Sequence, residues 1–95
     1  MSFTRKDDWS KEETKSALIG KALASEVRIR ILKILKEKPG LNSTEISKLL
    51  KRHRTTIDDH LFFLKEANLI KEEYIVHQLL LSINTKNNKV IDMFV

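Results

Sequence analysis

Breakers of regular structure are scarce in this chain: one proline and two glycines in 95 residues, with Pro39 and Gly40 adjacent. Proline lacks a backbone N–H and clashes with the preceding helical turn, and glycine relaxes into conformations that other residues avoid. The pair therefore marks the one enforced stop. A chain otherwise so poor in punctuation is expected to be mostly helical with a single clear interruption. Its length makes one domain at most. A domain this small buries a modest share of its surface, so subunit association is a natural source of further core.

Apolar spacing divides the chain on either side of that stop. Residues 1 to about 10 are polar and expected to be frayed or loosely docked, apart from Trp9, whose ring should pack on its own domain or on a partner subunit. A single domain is expected over residues 11–95. From Lys11 to Ala24, Leu18, Ile19, Ala22 and Leu23 recur at helical spacing, and Ser10 with Glu13 has capping-box spacing. Ser25 can cap a second helix whose inward face is Val27, Ile31, Ile34 and Leu35, widened by Leu32. Asn42 and Glu45 start a short third helix that buries Ile46, Leu49 and Leu50. After the polar link Lys51-Arg52-His53-Arg54, a fourth helix runs from about Thr55 to Ala67 with Ile57, Leu61 and Leu64 inward. Asn68 suits a left-handed helix end. Leu69 to Ile75 and Gln78 to Ile83 read as strands joined at Val76-His77, with Leu79, Leu81 and Ile83 on one face. Asn84 or Thr85 can cap a last short helix carrying Val90, Ile91, Phe94 and Val95 on one side. This is a mainly α chain with a small β-hairpin, in the order helix, helix, helix, helix, hairpin, helix: the outline of a winged helix-turn-helix.

Composition removes several classes of function. Hydrophobic residues at 41% and charged residues at 33% fit a soluble globular protein. No apolar run approaches the roughly 18 residues needed to span a bilayer. Met1 to Asp8 has no apolar stretch of the kind an export signal needs, so a cytoplasmic location is expected. With no cysteine, disulfides, thiolate metal sites and cysteine nucleophiles are all excluded. His53, His60 and His77 have no partner one helical turn away, so no metal is expected. There is no glycine-rich phosphate loop and no nucleophile paired with a base, so neither an enzyme nor a cofactor is expected. The net charge of +5 and a sequence pI near 9.6 favour a polyanionic partner. The excess is concentrated where Lys48, Lys51, Arg52 and Arg54 fall within seven residues lacking any acid.

Two stretches carry a family resemblance. Lys21 to Leu35, KALASEVRIRILKIL, resembles the opening of ArsR-type winged-helix regulators, and Thr55 to Ile70, TTIDDHLFFLKEANLI, resembles their recognition helix and its exit into the wing. With the third helix included, the similarity covers roughly residues 16 to 84. The resemblance implies a homodimer whose interface is built from the first and last helices, which makes Leu18, Ile19, Ala22, Val90, Ile91 and Phe94 the interface candidates. It also implies a fourth helix lying in the DNA major groove, with Arg54, Thr55, Thr56 and Asp59 as base-contact candidates and Arg28 as a structural brace. The chain departs from the family in having no metal-sensing cysteines, only Asp92 of the acidic and histidine ligands on the last helix, and a short wing without a glycine- and arginine-rich tip. Its lysine- and isoleucine-rich composition looks like archaeal or archaeal-virus versions of the fold.

Each candidate has a chemical reason and a plainer one. Lys48, Lys51 and Arg52 can anchor phosphates with His53 beside them, and Arg54 can fork onto a guanine; the plain alternative is a solvated face. Thr55 and Thr56 can meet phosphate or thymine methyls, or simply cap the helix. Asp58 suits the positive end of a helix, while Asp59 can accept from cytosine N4. His60 reads as a hydrogen-bonded packing residue or a phosphate contact. Phe63 fits the core, leaving Phe62 to cover the wing or a subunit contact. The expectation is therefore a transcription regulator that binds specific double-stranded DNA as a homodimer. The alternative is a winged-helix interaction or dimerisation module without specific DNA binding, which the short wing and Asp58-Asp59 would suit.

Overall fold

The computed structural model describes residues 10–95, so the expectations for Trp9 and for the tail before it lie outside the described residues. The chain forms α1 (Lys11–Leu23), α2 (Glu26–Glu37), α3 (Ser43–Leu50), α4 (Arg54–Glu66), the antiparallel strands β1 (Ile70–Ile75) and β2 (Gln78–Ile83), a 3-10 turn over Thr85–Asn87 and α5 (Asn88–Asp92). This is the anticipated winged helix-turn-helix.

Local chemistry sets the boundaries. Ser10 accepts from the Glu13 N–H at 3.1 Å and Ser25 from that of Arg28 at 3.4 Å, each satisfying an orphan donor of a first turn. Asn42 and Glu45 close a full capping box, at 2.8 Å and 3.1 Å. Two helices end through the same reversal. In α3, Lys51 sits at φ 53° while its N–H reaches Lys48 O at 3.4 Å and that of Arg52 reaches Ser47 O at 3.0 Å. In α4, Asn68 sits at φ 57° with matching bonds from Asn68 to Lys65 O at 2.9 Å and from Leu69 to Leu64 O at 3.0 Å. Both are Schellman closures, which need one left-handed residue.

Pro39-Gly40 does more than stop α2. Gly40, at φ 87°, turns the chain so that its N–H meets Leu81 O at 2.9 Å while Leu81 N–H meets Leu41 O at 2.8 Å. Leu41 thus pairs with β2 as a one-residue third strand. A single residue has no periodicity, so the sequence could not announce it. The hairpin pairs Ile70 with Ile83 through Ile75 with Gln78 and turns on Val76 and His77, both at positive φ (48° and 62°), the signature of a two-residue type I′ turn.

The core gathers Ile31, Leu32 and Leu35 of α2, Ile46 of α3, Ile57 and Leu64 of α4, Leu69, Leu81 of β2 and Ile91 of α5, each at most 3% exposed. Several inward assignments need correction. Leu49 is half exposed and Ser47 takes a buried place on α3, because the short helix presents a narrower stripe to α4 than three apolar residues fill. Leu79 is exposed at the hairpin's outer end, whereas Leu81 on the same face is buried; the strand outruns the core beneath it. Ala22 and Ile91, assigned to a subunit interface, are covered within the single chain, at 0% and 1% exposed. A side chain with no accessible surface offers none to a second subunit, so both are core residues. The C-terminus is clipped to α2 by Lys36, whose Nζ lies 2.8 Å from Asp92 and donates to Val95 O at 3.3 Å.

Candidate nucleic-acid interface

The tight Lys51 reversal joins α3 to α4 through only three residues, Lys51, Arg52 and His53. Helix α4 begins at Arg54, one residue before the expected start, with Thr55 and Thr56 in its first turn as expected. Capping is therefore not their role: the N-cap is His53, which makes no side-chain cap bond, and the first turn carries no acid. The free N–H groups and the positive end of the helix dipole are left facing outward, an arrangement that favours an anion.

With Ile57, Leu61 and Leu64 buried, a rotation of about 100° per residue puts Thr55, Asp59, Phe62 and Glu66 on the opposite face of α4. All four are exposed. Thr56 flanks that face on one side and Arg54 with Asp58 on the other. Arg54 Nε stands 3.9 Å from Asp58, both largely exposed, a weak pair that releases its guanidinium easily. The other ion pairs among the described residues are Lys36–Asp92 and Lys65–Glu72. Lys48, Lys51 and Arg52 are exposed and, within those residues, have no carboxylate to offset them. Structure thus brings together Lys48, Lys51, Arg52, His53, Arg54, Thr55, Thr56 and Asp59 around the entrance and outer face of one helix. Beside Lys51 and Arg52 lies a feature that sequence reasoning missed: a groove of about 900 Å³ between α2 and α3 to which Arg30 and Lys33 add further cations. Their charge was visible, but only the fold sets α2 across the groove from the end of α3 and the turn.

Phe62 lies outside the core, on the side of α4 that faces the wing, and is 55% exposed. It lines a groove of about 550 Å³ between α4 and the hairpin, opposite Leu79. At the wing tip Tyr74 and Val76 are exposed by 69% and 83%, beside Glu72 and Glu73 rather than arginines. Phe63 is half-buried under the guanidinium of Arg28, 4.1 Å from its ring centre. Arg28 also donates from Nε to His60 Nδ1 at 3.1 Å and from Nη1 to Lys21 O at 2.6 Å, which is the expected bracing role. Burial, and next the charge of Arg28, hold the His60 pKa below the ordinary 6.5.

Of the remaining interface candidates, Leu18 and Phe94 are 36% and 47% exposed, and Ile19 and Val90 are half-buried against the core. Met93, at 79% exposed, joins them unannounced, because the last helix is too short for its faces to be read from spacing. Among the described residues no three His, Asp or Glu side chains gather as a metal site, and no helix is long and apolar enough to cross a membrane.

The sequence model described as "Bacterial regulatory protein, arsR family" matches residues 25–72, the span from the start of α2 into β1. No curated protein is a significant match. Among solved structures, the chain is similar to HlyU from Vibrio cholerae N16961, with 23% identity, TM-score 0.74, and coverage of 90% of this chain and 92% of that one. It is similar also to the transcriptional repressor PagR of Bacillus anthracis, with 25% identity, TM-score 0.74, and coverage of 88% and 97%. A third is the homodimeric winged helix-turn-helix DNA-binding domain Mb0332 from Mycobacterium bovis, with 22% identity, TM-score 0.77, and coverage of 99% and 83%. That protein is described as a possible ArsR-family transcriptional regulator.

Proposed function

The chain belongs to the arsR family of bacterial regulatory proteins, and on that premise we propose that it regulates transcription by binding a specific duplex DNA site as a homodimer. One observation carries the reading: α4 turns an uncapped, acid-free N-terminus outward, with the uncompensated cations Lys48, Lys51 and Arg52 around it. Phosphate contacts from that cluster supply affinity and register, while Arg54, Thr55, Thr56 and Asp59 are placed to meet base edges. The exposed Leu18, Met93 and Phe94 support self-association through α1 and the C-terminus, with Ile19 and Val90 at its margin. Two such helices set about 34 Å apart meet successive major grooves, so the site is a palindrome. A regulator of this kind works in the cytoplasm, and its chemistry calls for no cofactor.

Selection of bound duplexes from a random pool tests the proposal. The expected result is a two-fold symmetric site bound with micromolar or tighter affinity, lost on replacing Arg52 and Arg54 with Ala while the dimer persists. Failure to bind any duplex at low salt rejects it. The wing favours a second reading, an interaction module without specific DNA binding, because Tyr74, Ile75 and Val76 are exposed where DNA contact would call for cations. Under that reading the double substitution leaves partner binding and dimerisation unchanged and no duplex is ever selected.

A further inference from the structure

We propose that Arg28 and His60 are positioning residues for α4, and that DNA affinity depends on the neutral His60 ring accepting the Arg28 hydrogen bond. The proposal rests on the DNA-binding reading of α4. The apolar contacts that seat α4, through Ile57, Leu61 and Leu64, are non-directional and leave its rotation weakly fixed. Its hydrogen bond to another helix through side chains, among the described residues, is the one from Arg28 Nε to His60 Nδ1 at 3.1 Å. Elsewhere α4 has the Lys65–Glu72 ion pair to β1. The same guanidinium donates to Lys21 O, a last-turn carbonyl of α1, at 2.6 Å and lies over Phe63 of α4. One side chain of α2 thus ties the end of α1 to the middle of the recognition helix.

A guanidinium has no acceptor and keeps its protons, so the nitrogen facing it must be bare: His60 is the Nε2–H tautomer. Protonation turns Nδ1 from acceptor to donor, which removes the bond and sets two cations against each other. The charged surroundings reinforce this outcome. Arg28 from α2 and Arg52 from the α3–α4 link oppose the imidazolium, and Asp59 on α4 favours it. From α1, Lys21 adds a cation across the Phe63 ring, its Nζ 5.1 Å from the ring centre. Acid therefore loosens the brace and lets α4 leave the orientation that base contacts require. The sign is diagnostic. Protonating His60 weakens DNA binding, the reverse of what added positive charge does by itself at a polyanion.

The test compares the wild type with His60→Asn, whose side-chain oxygen takes the place of Nδ1 and cannot be protonated. Duplex Kd is measured by fluorescence anisotropy from pH 8 to pH 5 at fixed ionic strength. Relative to the variant, the wild type should lose about tenfold in affinity over that range, the scale of one charge-assisted hydrogen bond. Parallel profiles for the two proteins overturn the proposal while leaving DNA binding intact. His60→Gln, which also keeps an acceptor, serves if the Asn variant does not fold. Nitrogen-15 NMR of the free protein gives a readout independent of DNA: Nδ1 should be unprotonated at neutral pH, and α4 amide shifts should move as the ring titrates. If no duplex is bound at any pH the functional reading fails, and the brace stands or falls on those spectra; a protonated Nδ1 at neutral pH refutes it.

Discussion

Salt dependence gives the sharpest check on the proposed interface, because its size follows from counting charges. Lys48, Lys51, Arg52 and Arg54 are exposed at the entrance of α4, and one of the four, Arg54, is held by a carboxylate, at the loose distance of 3.9 Å. If each neutralises one phosphate, a dimer contacts eight. The slope of log K against log salt should then lie near −7, at about −0.9 per phosphate. Doubling the salt concentration therefore weakens binding about a hundredfold. Arg52→Ala removes one contact per subunit and should flatten the slope by about 1.8. Asp58→Asn frees Arg54 and should raise affinity at low salt without flattening the slope. The assay is anisotropy of a labelled duplex between 50 and 300 mM KCl, with the dimer confirmed by sedimentation. A wild-type slope shallower than about −3 means that most of these cations do not reach the backbone. An Arg52→Ala slope equal to the wild type means that the cluster faces elsewhere. Either result refutes the placement of the α3–α4 turn against DNA.

Val76 and His77 both occupy the left-handed region, where a β-branched residue is especially strained, so Val76→Asn with His77→Gly should raise stability by about 1 kcal/mol in chemical denaturation. His60 is held below its ordinary pKa of 6.5 in the folded chain, so the unfolded chain binds its proton first as pH falls. Its contribution is fully present above pH 6.5 and is lost as pH drops through the lower folded value; melting scans in acid should show the wild type losing more stability than His60→Asn. Phe94→Glu, at an exposed apolar position, should convert the proposed dimer to a monomer in sedimentation equilibrium with the helical circular dichroism retained. Lys51→Gly relieves a left-handed lysine and should gain about 0.5 kcal/mol by thermal melting, the cost of that conformation less the extra entropy of unfolded glycine, while DNA binding weakens.

The helices were legible because each carries two independent signals. For α3, the Asn42–Glu45 capping box and the inward Ile46 agree, and for α4 the Ile57, Leu61 and Leu64 spacing agrees with Asn68 at its end. What stayed hidden depends on surfaces that no local pattern reports. Ala22 and Ile91 fit an interface stripe by spacing, but the depth of the fold swallowed them. Leu79 alternated correctly with Leu81, yet the core stops one cross-strand pair short of it. The Leu41 pairing and the cationic groove beside Arg30 and Lys33 arise only when distant segments meet. Of the candidate site, the charges and the outward Thr55 and Asp59 could be read from residue type and helical period. The early start of α4, which rules out threonine capping, is a shift of one residue, below what spacing can resolve.

The two Schellman closures show how function and stability divide the same geometry. Asn68 and Lys51 adopt nearly the same backbone, at φ 57° and φ 53°, and asparagine tolerates it far better than lysine does. At Asn68 the chain leaves α4 for the hairpin, away from the cationic cluster, and the residue present is one suited to the bend. At Lys51 the turn fixes how α3 meets α4, and there a long cation occupies a position that glycine would fill at lower energy. A site shaped for stability alone would hold glycine at both ends. The exception falls at the residue adjoining Arg52 and the helix entrance, where the proposed DNA contact gives a positive charge a use that glycine cannot supply. Local strain retained at one of two equivalent turns is the pattern expected where a binding surface constrains the choice.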